Sequence, residues 1–274
     1  MKIGIDLGGT SVRAALVTPE GRMERMVSEP CRSGGSEEEV LEQIAGLAGR
    51  LMSPEVEGIG IGVPSVVDTA RGIVYNVVGI PSWKEVHLKE YLENRFGIPA
   101  GVDNDCNCFA LGATKYGRGS EYSEVMCVTL GTGVGGALVL DGKVYHGRNA
   151  GAGEIGSIPY LDKDYEFYCS SRFFVSKGTT GKDAALAARA GDAGALALWK
   201  EFGGHVGKLV QMLMYAYDPA AIVFGGSIAG AFPLFEKEMW KVVREFPYPQ
   251  SVRNLEIFTA EGENPGIVGA ASLV

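Results

Sequence analysis

Histidine is scarce in this chain, cysteine is sparse, and no tract of basic residues occurs. The three histidines, His87, His146 and His205, fall at no ligand spacing, so no histidine metal site is expected. Five cysteines, an odd number scattered over 274 residues, read as reduced thiols of a cytoplasmic protein rather than a disulfide framework. Lys and Arg number 25 against 33 Asp and Glu, a formal net charge of −8, which argues against a nucleic-acid backbone as the main partner. No apolar run approaches the roughly 20 residues of a membrane span. The opening MKIGIDLGGT, one lysine before a strand-like run, does not read as a signal peptide. The expectation is a cytoplasmic protein that engages neither nucleic acid nor membrane.

What is abundant is glycine, at 40 residues, gathered into clusters rather than a low-complexity tract. The chain is 46% hydrophobic, enough for a substantial core in one large or two medium domains. Residues 2–7 predict a buried strand, Gly8-Gly9-Thr10 a tight turn, and SVRAALVT and GRMERMVSEP two more strands. Ser36 and Glu39 form a capping box opening a helix with Val40, Leu41, Ile44, Leu47 and Leu51 on one face. GIGIGVPS (58–65) predicts a buried strand, LKEYLENRFG a helix stopped by Gly97, and IPAGVD a strand running into Asn104 and Asp105. A long helix is predicted over 194–217, ended by Asp218-Pro219; AAIVFGGS is a strand closed by a glycine turn, and NPGIVGAASLV a last helix. One pattern occurs twice. Setting IDLGGTSVRAALV over VTLGTGVGGALVL aligns Leu7 with Leu130, Gly8 with Gly131 and Ala14 with Ala137, so two similar glycine hairpins each start a domain.

A hairpin with side chains this small lets its N–H groups face an anion. Gly8, Gly9 and Thr10, and from the second half Gly131, Thr132 and Gly133, suit the phosphates of a nucleotide; Gly225 and Gly226 suit its nucleoside. Asp6, at a strand end, suits Mg²⁺ held directly or through water. Any one such turn is explained by chain reversal alone; three at strand ends, two in matched halves, point to a ligand. Asp105 has two readings. Asn and Asp are ordinary helix caps, but Asn104 alone suffices as a cap, and a carboxylate near phosphate loops suits a general base. Cys106 and Cys108, two apart on a helix, point about 200° from one another and read as small buried thiols. Glu154 in GAGEIGS (151–157) and Glu166 in YEFYCSS are carboxylates suited to sugar hydroxyls, and each alone reads as a surface acid.

Together IGIDLGGT, GIGIGVP, PSWKEVHLKEYLENRFGIPAGVDNDCN, VTLGTGVGGALVLDGKVYHG, GAGEIGS and IVFGGS resemble the ROK family of sugar kinases and repressors, nearly end to end. The resemblance implies an α/β chain with the actin-like, ribonuclease H-like two-domain ATPase fold and an interdomain cleft. The implied division is 1–103, with a C-terminal helix at about 264–274 packing back on it, and 104–263. ATP and Mg²⁺ would lie in the cleft. Asp105 would be the base acting on a hexose hydroxyl, usually at C6. Asn104, Glu154 and Glu166 would hold sugar hydroxyls, with Asn76, Ser65 and Ser157 at the same pocket, and the protein would be a homodimer. Three departures stand out. GEIGH reads GEIGS, putting Ser157 where the family has a histidine that touches sugar and zinc. The cysteine-rich zinc motif is missing beyond Cys169, so a shortened loop and no structural zinc are expected. Ser65 replaces a common glycine after Pro64. The simplest implied activity is glucokinase. The alternatives are a kinase for mannose, fructose, allose, N-acetylglucosamine or N-acetylmannosamine, and a non-catalytic sugar sensor. The family's repressors carry an N-terminal helix-turn-helix module; here a strand begins at Lys2, so the kinase branch is expected.

Overall fold

A computed structural model describes residues 1–274 and groups them into two compact units. The first comprises 1–121, 139–152 and 261–274; the second comprises 122–138 and 153–260. The first therefore extends beyond 1–103, and it includes the helix that follows Asn104. No helix is long and apolar enough to cross a membrane.

In the first unit the strands are β1 (Lys2–Leu7), β2 (Ser11–Val17), β3 (Met23–Pro30), β4 (Ile59–Val63), the short β5 (Val66–Asp68), β6 (Ile73–Tyr75) and β7 (Glu85–Val86), and β8 (Ala100–Asn104). Its main sheet runs β3-β2-β1-β4-β8, with β1, β4 and β8 parallel. Helices α1 (Glu37–Gly49), α2 (Leu88–Phe96) and α3 (Asp105–Lys115) flank it. Both bonds of the Ser36–Glu39 capping box form at the start of α1, and Gly97 ends α2 in the left-handed conformation. Ile3, Ile5 and Leu7 alternate onto one face and join the buried cluster with Val40, Ile44 and Leu47 of α1.

The opposite face of that sheet carries a row of glycines. Gly4, Gly60 and Gly101 are in register across β1, β4 and β8. Against them lies the last helix, Pro265–Ala271. A Cβ on Gly4 would stand 2.0 Å from the Ile267 carbonyl oxygen, and one on Gly60 1.7 Å from that of Ala270. Glycine is required here for close approach of backbone to backbone.

The second sheet, β11-β10-β9-β14-β15, repeats the order of the first. Its strands are β9 (Glu124–Leu130), β10 (Val134–Leu140), β11 (Lys143–Val144), β14 (Ala221–Gly225) and β15 (Glu256–Thr259), with a separate hairpin of β12 (Pro159–Tyr160) and β13 (Lys163–Asp164). The helices are α4 (Tyr165–Cys169), α5 (Ser171–Ser176), α6 (Gly181–Arg189), α7 (Ala193–Tyr217), α8 (Phe232–Val243) and α9 (Pro249–Asn254), and the glycine-row helix of the first unit is α10. Trp199, Phe202, Val206, Leu209, Val210 and Leu213 of α7 form one buried stripe, and Asp218 ends the helix at φ 42°.

The segment after GEIGS, where the zinc motif is missing, is the tight β12–β13 hairpin leading into α4. Aromatic packing holds it: Tyr160 stacks on Tyr165 with centroids 4.5 Å apart, and its hydroxyl lies 3.2 Å from His205 Nδ1. Cys169 is fully buried and its thiol is pushed up by desolvation, so it stays a packing group.

Candidate active site

In open α/β sheets ligands gather where parallel strands end. Asp6 of β1, Gly62 of β4 and Asp103 of β8 are in register, so the residues just beyond them share one edge of the first unit. The first hairpin lies there, closed by Gly8 N donating to the Ser11 carbonyl at 2.9 Å. So do Ser65 and the Asn104–Asp105 pair. Asn104 is the N-cap of α3, its Oδ1 accepting from Cys106 N at 2.9 Å and Asn107 N at 3.3 Å, while its Nδ2 donates to the Ser65 carbonyl at 3.3 Å. The Ser65 hydroxyl donates to the Tyr75 carbonyl, which fixes the entry to Asn76, an exposed residue at φ 49°. Asp105 is the first residue of α3, half-buried, with Oδ1 also accepting from Cys106 N at 2.8 Å. Negative charge concentrates here. Burial first, and then Asp103, Asp105 and Asp6, hold the Cys108 thiol well above its usual range. Cys106 and Cys108 are buried, and neither forms a disulfide.

The second unit gathers the other glycine turns by the same logic. β9 and β14 are parallel neighbours, with Thr129 opposite Gly225, so LGTG and FGGS emerge side by side. Ile228 N donates to the Leu130 carbonyl at 2.9 Å, and Gly131 N to that of Gly133 at 3.0 Å. Thr132 is exposed at the tip. Glu154 and Ser157 are exposed at the two ends of one short 3-10 turn, which Gly156 seats against the Val134 backbone. Glu166 lies beneath the second hairpin: its Oε2 accepts from Val134 N at 3.3 Å and its Oε1 pairs with Arg172 at 2.8 Å.

Which glycines does the protein itself require? Gly226 has φ 83°, and a Cβ there would stand 2.4 Å from the Leu130 carbonyl oxygen, so chain geometry alone demands it. Gly9 and Gly131 differ. A Cβ would find its nearest neighbours at 3.8 Å (Gly79 Cα) and 3.6 Å (Ser227 Oγ), and neither residue has positive φ. Internal packing would accept alanine at both, and the open space matches a ligand that must approach the backbone. For Mg²⁺ the donor set is thin. Asp6 faces Arg13 across the hairpin and gives Oδ2 to its guanidinium, with Arg13 also bonded to Asn264 Oδ1 at 2.8 Å. That arrangement fits a cation reached through water from Oδ1, carried largely by the phosphates themselves.

Sequence reasoning missed four residues: Arg13, Arg172, Asp103 and His146. Asp103 is 4% exposed and pairs through Oδ2 with His146 Nε2 at 2.7 Å, and that bond raises the histidine above its usual range. Neither His146 nor Asp103 carries a local signal, because the pair joins positions 43 residues apart.

The ROK family description matches residues 2–274. The chain belongs to the ROK family. Among ROK relatives, the glucokinase of Thermotoga maritima is 28% identical, covering 99% of this chain and 96% of its own length. That alignment runs over 305 positions against a chain of 274 residues, so the relative carries segments with no counterpart here. The N-acetyl-D-glucosamine kinase of Vibrio cholerae is also 28% identical, over 100% of this chain and 99% of its own. A ROK family glucokinase from Streptomyces griseus, solved in complex with glucose and AMPPNP, superposes with a TM-score of 0.87 at 28% identity, covering 100% of this chain and 98% of that one. The ROK fold is thus the actin-like, ribonuclease H-like ATPase fold expected from the sequence.

Proposed function

We propose that this ROK protein is an ATP-dependent hexose kinase whose substrate is glucose and whose acceptor is the 6-hydroxyl. The observation that carries this reading is the division of labour at the start of α3. Asn104 supplies the cap, so the carboxylate of Asp105 is not needed for it.

In this reading Asp105 accepts the proton of the attacking hydroxyl as that oxygen bonds to the γ-phosphorus and the bond to ADP breaks. Asn104, through its remaining amide hydrogen, and Asn76 would bond sugar hydroxyls, as would Glu154 and Ser157, with Glu166 steered by Arg172. Backbone N–H groups of Gly8, Gly9, Thr10, Gly131, Thr132 and Gly133 donate to phosphate oxygens, and Gly225 and Gly226 leave room for the nucleoside. Mg²⁺, when bound, would neutralise charge on the transferring phosphates, with Asp6 holding one of its waters. Ser157 in place of histidine, together with the aromatic hairpin in place of the zinc motif, supports folding without zinc.

The test is ADP release with glucose, mannose, fructose, allose, N-acetylglucosamine and N-acetylmannosamine. Highest kcat/KM on glucose is the expected result. Release on another sugar alone would move the substrate, and release on none would make the chain a sugar sensor. The phosphate loops have their own test. Gly131→Ala should fold normally, since its Cβ meets nothing closer than 3.6 Å. It should nevertheless weaken ATP binding about tenfold or more, because a methyl group enters the space of the phosphate; a tenfold loss is about 1.4 kcal/mol. Unchanged ATP affinity by calorimetry would remove the hairpin from the nucleotide site. Gly133→Val is a poorer probe, because a Cβ there would stand 2.4 Å from Glu166 Oε2.

A further inference from the structure

Asp103 sits immediately before the Asn104–Asp105 pair and is almost completely enclosed. Burying a carboxylate is costly unless it is paired and hydrogen-bonded. Here each bond goes somewhere specific. Oδ1 accepts from Asn104 N at 2.7 Å and from Asn107 Nδ2 at 2.8 Å; Oδ2 meets His146 Nε2 at 2.7 Å. The first partner is the N-cap of α3, and the second lies in its first turn. The third stands on the segment after β11 that runs on to GAGEIGS. A carboxylate can only accept, so Nε2 carries a proton, and the Val144 backbone also bonds the ring. An apolar pair would leave the Asn104 N–H and the Asn107 amide without this acceptor, and it would not aim the backbone of Asn104.

We infer that the buried Asp103 and the half-buried His146 form a positioning pair that sets the backbone of Asn104 and the first turn of α3, and through them the placement of the Asp105 carboxylate. This rests on the reading of Asp105 as the base. The pair does not touch substrate. Its effect is on geometry, and geometry is where phosphoryl transfer is sensitive, since a small misplacement of a reacting group is felt in rate more than in binding.

Two amides divide the imidazole between them. In His146→Gln the terminal nitrogen reaches about as far as Nε2 and can still donate to Asp103. In His146→Asn it stops at the level of Nδ1 and leaves Oδ2 of the carboxylate without this donor. The expected result is that His146→Asn lowers kcat by about tenfold or more, with KM for ATP and hexose changed by less than about threefold, while His146→Gln keeps kcat within about threefold of wild type. A purely structural role would not separate kcat from KM or one amide from the other. Equal kcat in the two variants, or a loss carried by KM, overturns the inference. Should His146→Asn fail to fold, Asp103→Asn against Asp103→Ala poses the same question from the other partner: the amide keeps the acceptor for Asn104 N, the methyl does not. Asp105→Asn is assayed alongside. If it is inactive and the two His146 variants match wild type, only the positioning role falls. If it is fully active, the base assignment falls and takes this inference with it.

Discussion

Asp105→Asn should give a folded protein that has lost nearly all turnover. The structure makes this substitution unusually clean. Asn104 caps α3, and an asparagine at 105 retains an oxygen for the Cys106 amide that Asp105 accepts from now. Size and local hydrogen bonding are preserved, and what disappears is the ability to take a proton. Loss of a positioned base commonly lowers the rate about 10²–10⁴-fold, and kcat on the best hexose of the panel should fall in that range. Circular dichroism should be superimposable on wild type. Turnover within a few-fold of wild type would transfer the role to another carboxylate, and Glu154, in the GEIG turn, would be examined next.

Gly60→Val should be the most damaging single change outside the site. By strand preference valine is the better residue, and β4 is buried along its whole length. The obstacle is the neighbour. A Cβ at 60 would stand 1.7 Å from the Ala270 carbonyl oxygen, which belongs to a helix backbone and has no rotamer to change. Either α10 lifts from the sheet or the strand shifts. Overpacking of this kind typically costs about 1–3 kcal/mol and occasionally more, and the upper end is expected here. The urea midpoint should drop markedly, and α10 should become open to protease. Gly46→Ala in α1 is the control: a Cβ there meets nothing within 4 Å. It should be neutral or stabilise by up to about 1 kcal/mol. A Gly60→Val midpoint equal to that of wild type would mean that the glycine row and α10 are not in close contact in solution.

Much of this architecture was legible because its signals are local. The capping box at Ser36, the stop at Gly97, the apolar stripe of α7 and the two glycine hairpins each lie within a few turns or one short strand pair, where spacing translates directly into geometry. GIGIG read correctly as a buried strand, but its glycines went unexplained. For Gly60 the reason is α10, some 200 residues away, and for Gly62 it is Cys108 of α3; the register that lines Gly4, Gly60 and Gly101 into one row exists only once strands pair. His146 failed for the same reason. On its own a lone histidine after a short strand reads as surface; it takes the Asp103 carboxylate, brought from β8, to give it a role. Glu166 was legible as a carboxylate of interest, whereas its hold on Val134 N and Arg172 was not.

The glycine row has a consequence for biosynthesis. Residues 1–121 leave the ribosome long before residues 261–274, yet both belong to the same unit. Synthesis at about 5–20 residues per second leaves the first sheet waiting, with one face open, until α10 arrives. The second unit, whose pieces lie within 122–260, has all its residues in hand sooner. Order of manufacture and order of completion are therefore reversed: the half that is begun first is finished last. A nascent chain stalled before residue 261 would display a bare strip of backbone along β1, β4 and β8, a feature by which a quality-control protease or chaperone could tell an unfinished molecule from a finished one.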